Sequence, residues 1–161
     1  MIKPLISSIV VAVNSSDASI FAVKHAILLA IEHTCRLTAV FVVDEAAVRQ
    51  LKMSKILLKE ESIDYENDLE ATGKRYLSYV KELADARDIP VKLDLRKGAI
   101  CTEILAAADE TEADLIILGA WEKNKNPRDI IKASHREIII NAKCSVLLTR
   151  EPLIDLIFSQ A

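Results

Sequence analysis

Glycine is scarce in this sequence. The chain has 161 residues but only three glycines, Gly73, Gly98 and Gly119, where an average composition would give about 11. The closest pair, Gly98 and Gly119, is 21 positions apart. The Walker A loop and the G-x-G-x-x-G turn are phosphate cradles built from clustered glycines. The sequence therefore excludes both of these nucleotide-binding motifs.

Cysteine is also rare, and its spacing excludes the common metal motifs. The three cysteines are Cys35, Cys101 and Cys144, so the chain contains neither a C-x-x-C pair nor a zinc-finger pattern. An odd number of widely spaced cysteines indicates reduced thiols, as is typical of proteins inside the cell. We therefore expect no metal ion and a cytoplasmic location.

Neither sign of charge dominates, and no apolar run is long. The 21 basic and 24 acidic residues give a net charge of -3, which argues against a dedicated nucleic-acid-binding protein. The apolar runs are far shorter than the ~18 residues of a membrane-spanning helix. The apolar start of the chain superficially resembles a signal peptide, but it lacks a convincing cleavage site. We expect a buried first strand there instead.

Strand patterns alternate with helical patterns along the whole chain. The strand patterns lie at 9–13, 37–43, 91–95, 114–119 and 144–149, and the helical patterns at 17–33, in the second half of 45–88, after Gly98 and at 128–142. This alternation predicts a doubly wound α/β fold. We expect an open sheet of five parallel strands in the order 3-2-1-4-5, with helices on both faces. Residues 1–150 would form this domain, and 151–161 an apolar tail.

The carboxyl ends of the strands form the ligand-binding edge of such a sheet. In this chain that edge would be lined by Asn14, Asp44, Gly98 and Gly119. Asn14 follows a buried strand and precedes the first helix. We expect it to mark the ligand edge; the alternative is that it only forms the turn and caps the helix.

Several segments resemble the universal stress protein family. The resemblance covers about residues 5–150 and is carried, in this order and spacing, by 9–16, 37–44, 113–119 and 134–150. It implies the same α/β fold and a stress-response or regulatory function. It also implies a homodimer in which the last strands of two copies pair.

Nucleotide-binding members of that family share a motif of Gly, two residues, Gly, nine residues, Gly and then Ser or Thr. On this chain the four positions fall on Gly119, Glu122, Lys132 and Ala133, and only Gly119 matches. Glu122 adds a negative charge where phosphates should lie, Lys132 lacks the freedom of glycine at positive φ, and Ala133 lacks a hydroxyl. The resemblance therefore implies a degenerate site, and we expect no cofactor and no tight ATP binding.

Other family positions support an alternative, an adenine-nucleotide-binding module. The family's aspartate at the end of the first strand falls on Asn14, its valine beside the adenine on Val42, and its glycine before the third helix on Gly98. With Gly119, Ser134 and basic side chains, these residues would hold ATP or AMP for sensing or slow hydrolysis. The net charge of +3 over residues 120–136 could hold an anion, although exposed charged surfaces commonly have the same composition.

The last strand and the tail carry apolar residues that need a cover. Val146, Leu147 and Leu148 lie in a strand that the expected order leaves at an edge of the sheet, and an exposed apolar edge favours association. The segment 152–158 is too apolar for a free tail, and we expect it to cover its own edge or to cross to a partner copy. The sequence thus predicts a homodimer through the last strand.

A basic stripe has two interpretations. Its members are Arg49, Lys52, Lys55 and Lys59, at helical spacing. The stripe could dock an acidic partner or an anionic lipid, or it could be the solvent face of an amphipathic helix.

The histidines and the single tryptophan add no catalytic group. We expect His25 and His33 at or near the surface of the first helix and His135 on a helix surface. Trp121 could stack on a base, fill the space left by absent phosphates or pack on a partner subunit. Because the sequence identifies no nucleophile and base, we expect a non-catalytic regulatory protein that acts on an unidentified protein partner.

Overall fold

The computed structural model describes residues 2–53, 59–120, 132–150 and 153–161. Strands and helices alternate along the chain. They are β1 Ser8–Val13, α1 Asp17–His33, β2 Arg36–Asp44, α2 Glu45–Met53, α3 Lys59–Asp85, β3 Val91–Gly98, α4 Ile100–Glu110, β4 Leu115–Gly119, α5 Ala133–Asn141, β5 Ser145–Thr149 and α6 Ile154–Ser159. Within these described ranges, no helix combines the length and the apolar character needed to cross a bilayer.

The five strands form one parallel sheet in the order β3-β2-β1-β4-β5. The predicted fold class and strand order are confirmed. All six residues of the central strand β1 are buried, as expected for a strand covered on both faces. One apolar core lies between the sheet and the helices α1 and α3, and a second lies between the sheet and the helices α4 and α5.

The edge strand β3 is longer than its apolar pattern predicts, and its polar residues have partners on β3 itself and on α4. Arg96 Nε lies 2.9 Å from an oxygen of Asp94, and Arg96 Nη1 lies 3.6 Å from one of Glu103. Arg96 also pairs with Glu110. The strand stays paired with β2 as far as Gly98, opposite Asp44, and so continues beyond the predicted end at residue 95.

A carboxylate joins the amino ends of β1 and β4. Asp114 accepts hydrogen bonds from the N–H and hydroxyl groups of Ser7, both at 2.8 Å, and from the N–H of Ser8 at 3.2 Å. These donors hold the pKa of the Asp114 carboxyl below its usual value, with the backbone N–H of Ser7 as the largest cause. Asp114 lies just outside β4, which begins at Leu115 rather than at residue 114.

The helix after β4 begins later than predicted. Its first helical residue is Ala133, and the N-cap is Lys132, whose φ of -66° and ψ of 155° lie in the extended region. The predicted helix over 128–142 included Lys132, which is not helical in the structure. The observed helix ends at Asn141. Residues 128–131 lie outside the described part of the chain.

The tail forms the short helix α6, which packs on α1. Ile154 and Phe158 are buried, and Phe158 joins the core between the sheet and α1 and α3. The Arg87 guanidinium lies 3.5 Å from the centre of the Phe158 ring, and Arg87 Nη2 donates a hydrogen bond to the Phe158 carbonyl at 2.7 Å. Lys24 of α1 pairs with Asp155. A role of the tail in a dimer stays a prediction.

We expect Phe158→Ala to lower the free energy of unfolding by about 3 kcal/mol or more, because truncation of a buried phenylalanine leaves a cavity. Phe158 is 4% exposed, whereas Leu156 on the same helix is 60% exposed. Leu156→Ala is therefore the control and should change stability by no more than about 0.5 kcal/mol. Urea unfolding of the three proteins measures the difference. Equal effects of the two substitutions would show that α6 does not dock as described.

Candidate functional site

A cleft of about 240 Å³ opens at the carboxyl ends of β1 and β2, between the first turns of α4 and α5. This is the edge at which doubly wound sheets bind their ligands. The described residues that line it are Ala12, Val13, Asn14, Ser15, Ser16, Val42, Ile100, Ile104, Lys132, Ser134, His135 and Ile138.

The cleft brings together four of the residues predicted from the sequence. Asn14, Val42, Lys132 and Ser134 line it, although they come from three distant segments of the chain. The predicted positions Gly98, Gly119 and Ala133 do not belong to the described lining, and Glu122 lies outside the described residues.

Several lining residues were missed by the sequence analysis. Ile100 and Ile104 lie one turn apart on α4 and form an apolar wall with Val42. Their four-residue spacing, just after Gly98 at the predicted ligand edge, could have identified them as lining residues from the sequence. His135 is 4% exposed, so its predicted place on the helix surface is wrong. It lies three residues before the buried Ile138, on the same inward face of α5.

Asn14 forms the turn that leads from β1 into α1. Its Oδ1 accepts hydrogen bonds from the N–H of Ser16 at 2.8 Å and from the Ser16 hydroxyl. Its backbone N–H donates to Ser19 Oγ at 3.0 Å, and the Ser19 hydroxyl donates to its carbonyl at 2.8 Å. Ser16 in turn caps α1. Asn14 therefore forms the turn, as the alternative interpretation predicts, and it also lines the cleft.

Gly98 and Gly119 lie near the site, and each is required by the fold itself, one by its backbone conformation and the other by close packing. Gly98 ends β3 with φ of +146°, a conformation that side chains other than glycine rarely adopt. A Cβ on Gly119 would lie 2.1 Å from the carbonyl oxygen of Ala18. Gly119 thus lets the end of β4 approach the first turn of α1. This packing alone explains why glycine stands at this motif position, and no bound phosphate is needed to explain it.

The residue that precedes α5 and lines the cleft, Lys132, is cationic. The backbone of Lys132 has φ of -66°, so this position does not need the positive φ that only glycine adopts easily. Lysine is therefore not strained at this position, and the predicted need for glycine here is wrong. Helix α5 has no acidic residue in its first turn and no side-chain hydrogen bond at its N-cap. Helix N-termini favour anions, and the Lys132 ammonium has the same preference.

The three thiols form no disulfide, and none of them belongs to the described lining of the cleft. Cys35, Cys101 and Cys144 are half-buried and form no disulfide. Burial is the largest cause that raises the pKa of each thiol. The thiols are therefore protonated at neutral pH and are poor nucleophiles.

The basic stripe is only partly described. Arg49 is exposed on α2. Lys55 and the side chains of Lys52 and Lys59 lie outside the described part of the chain, as does Trp121.

The fold and the position of the cleft define a doubly wound α/β protein with a ligand cleft at the carboxyl edge of its sheet. The model of the universal stress protein family matches residues 6–150. This chain belongs to the universal stress protein family, as the sequence resemblance implied.

Known relatives agree with this assignment. The chain is 30% identical over 154 residues to the Universal stress protein MJ0531 of Methanocaldococcus jannaschii, covering 92% of this chain and 84% of that protein. The solved structure of the universal stress protein UspA from Lactobacillus plantarum is similar, with a TM-score of 0.74, 26% identity and coverage of 89% of this chain and 97% of that one. The structure of the universal stress protein from Archaeoglobus fulgidus in complex with dAMP has a TM-score of 0.59, 18% identity and coverage of 90% and 98%.

We expect Gly119→Ala to lower the free energy of unfolding by about 3 kcal/mol or to prevent folding, because the new methyl group meets the backbone of α1, which cannot turn aside as a side chain can. Ser145→Ala in β5, at an exposed position, is the control and should be nearly neutral. Urea unfolding measures both. A loss below about 1 kcal/mol for Gly119→Ala would contradict the close approach of β4 and α1.

Proposed function

We propose that this protein is a non-catalytic regulatory protein of the universal stress type, located in the cytoplasm, that acts through a homodimer surface and a protein partner. The observation that carries the proposal is an apolar surface at the β5 edge of the sheet. An exposed apolar surface supports binding to another protein chain rather than catalysis. Steady hydrolysis of ATP in a turnover assay would count against the proposal of a non-catalytic protein.

The strand β5 pairs with β4 and forms one edge of the sheet. Leu147 points away from the second core and is 37% exposed, while Val146 and Leu148 pack against that core. Nearby in the chain, α5 exposes Ile139 and Ile140, the latter at 78%. Exposed apolar strands at sheet edges favour pairing with another chain, and two-fold pairing lets one apolar patch cover itself.

The opposite edge of the sheet is unsuited to pairing. Strand β3 carries a series of charged side chains, among them Lys92, Asp94 and Arg96. Lys97 of the same strand lies 2.9 Å from a carboxylate oxygen of Glu70 on α3. Charged side chains on an edge strand oppose strand pairing. This difference between the edges supports β5 as the surface where two copies would meet.

We expect Leu147→Asp to convert a dimer into a monomer or to cause aggregation, because a two-fold contact would place the two new carboxylates close together. Sedimentation velocity at tens of micromolar measures the change. Lys92→Asp, which introduces the same side chain on the exposed β3 edge, is the matched control and should leave the dimer intact. A parent protein that is already a monomer, or a dimer that Leu147→Asp leaves undisturbed, would refute this interface.

A second candidate function is the binding of a small adenine nucleotide in the cleft. Val42, Ile100 and Ile104 offer an apolar wall for a base, and Lys132 with the α5 N-terminus offers a place for a phosphate. The volume of about 240 Å³ is below the roughly 300–1,000 Å³ of common ligand sites, which suits AMP better than ATP. The complex of the Archaeoglobus fulgidus relative with dAMP supports the same size of ligand.

We expect ATP with magnesium to bind more weakly than about 100 μM in isothermal titration, about -5.5 kcal/mol. The reason is the small cleft and two of the replaced motif positions, the acidic Glu122 and Ala133, which lacks a hydroxyl. The double variant Glu122→Gly/Ala133→Ser, which removes a negative charge and adds a hydroxyl, should bind ATP more tightly than the parent. A dissociation constant of the parent in the low micromolar range would contradict the degenerate site.

A further inference from the structure

A second cavity lies at the amino edge of the sheet, where the strands begin. Its volume is about 740 Å³, which falls within the roughly 300–1,000 Å³ of common ligand sites. The first residues of β2 and β3, the ends of α1 and α4 and the turn after α3 line it. The described linings of this cavity and of the cleft at the carboxyl edge share no residue. A ligand in this cavity would therefore occupy a site separate from the cleft.

Two basic residues of the lining, Arg36 and Lys92, lie on one face of the sheet. Successive side chains of a strand point to opposite faces. Leu37 and Val91 pack in the core that α1 and α3 cover, so the basic residues next to them in the chain lie on the face toward α4. Thr38 lies on that same face, directly opposite Lys92 in the pairing of β2 with β3. The register thus places two cations and one hydroxyl close together on adjacent strands.

Neither cation has a counterion within the described part of the chain. Arg36 and Lys92 are exposed, and they form no ion pair with another described residue. Two carboxylates also line the cavity. Glu110 is already paired with Arg96, and Asp88 belongs to the turn after α3 rather than to the face toward α4. Like charges on neighbouring strands repel each other, and an anion bound between the two cations would remove this repulsion.

The Thr38 hydroxyl is buried and, among the described residues, has no hydrogen-bond partner. Thr38 is 4% exposed and lines the cavity. The hydroxyl of Ser8, which also lines the cavity, instead donates to the carbonyl of Thr111 at 3.0 Å. Buried polar groups are normally hydrogen-bonded. A hydroxyl and two cations that the described chain leaves unpaired are complementary to an anionic acceptor.

The helix ends around the cavity limit the charge of such a ligand. The carboxyl ends of α1 and α4 carry partial negative charge, which disfavours a doubly charged phosphate more than a singly charged carboxylate. A carboxylate also matches the two parallel N–H groups of an arginine side chain. The remaining lining includes apolar residues, among them Ala30, Ile89 and Pro90. A ligand of this cavity would therefore combine one carboxylate with an apolar body.

We propose that the cavity at the amino edge binds a small organic carboxylate with a branched apolar body. Arg36, Lys92 and the Thr38 hydroxyl hold the carboxylate, and the apolar body contacts Ile89 and Pro90. This inference goes beyond the proposed function and does not depend on the dimer or on the nucleotide cleft.

The test compares isocaproate with isocaproamide, a neutral molecule of nearly the same shape. The measurement is a two-dimensional ¹H–¹⁵N NMR titration of the full chain at constant ionic strength. We expect isocaproate to shift the backbone amides of Thr38, Ile89 and Lys92 with a dissociation constant of about 1 mM. Isocaproamide should bind at least about 5-fold more weakly, because hydrogen bonds to a charged acceptor are stronger than neutral ones.

Two substitutions test the residues that would hold the carboxylate. Arg36→Gln should weaken isocaproate binding by about 3- to 10-fold. Lys143→Gln also removes one positive charge, at an exposed position outside the described lining, and this control should bind isocaproate like the parent. Thr38→Val keeps the shape of the side chain and removes the hydroxyl. It should weaken binding by about 3-fold and leave the midpoint of urea unfolding unchanged or higher, because the hydroxyl has no partner to lose.

Three results would overturn the proposal. The first is that isocaproate at about 20 mM shifts none of the three amides. The second is that isocaproamide binds as tightly as isocaproate, and the third is that Arg36→Gln and Lys143→Gln weaken binding equally, which would indicate attraction to the overall charge only. A lower unfolding midpoint for Thr38→Val would show that its hydroxyl serves the fold and would remove Thr38 from the site.

Discussion

The structure depends on the burial of β1, whose six residues are covered on both faces and bonded to strands on both sides. A strand in this position cannot continue past the edge of the sheet without exposing apolar residues, so the chain turns at Asn14 and enters α1. The same turn sets one wall of the cleft. The neighbouring strand β4 ends equally close to α1, which is why Gly119 has no room for a side chain. The geometry of the cleft thus follows from the packing of the sheet.

At two positions of the family's glycine motif, Gly119 and Lys132, agreement with the motif does not decide whether phosphate can bind. Gly119 matches the family motif, but the backbone of Ala18 already excludes any Cβ there. Lys132 departs from the motif, yet its backbone is extended and its side chain faces the cleft. A match is therefore no proof of phosphate binding, and a departure is no proof of its loss. Ligand binding at each position depends on which atoms face the ligand and on their charge. At Asn14 the orientation of the side-chain amide is set by its hydrogen bonds to Ser16.

The sequence predicted the fold class, the strand order and the edge that bears the cleft, because buried parallel strands have continuous apolar runs and the turns between them are polar. It also selected Asn14 and Val42, which face the same cleft. It did not predict the end of β3 at Gly98, because the residues after Leu95 are polar and their pairing with β2 and with carboxylates of α3 and α4 comes from elsewhere in the chain. His135 was misplaced because a polar residue was assigned to the surface. The docking of α6 depends on Arg87, and no local pattern identifies a contact between residues so far apart in the chain.

The pairing of β1 with β4 has a consequence for the order of folding. The hydrogen bonds between Ser7 and Asp114 join residues 107 positions apart, so the middle of the sheet is completed only after most of the chain has been synthesised. Until then β1 has one unpaired apolar edge, which is a site for incorrect strand pairing. Contacts of such long range slow folding. A nascent chain of this protein therefore exposes that apolar edge during the interval between the synthesis of β1 and that of β4.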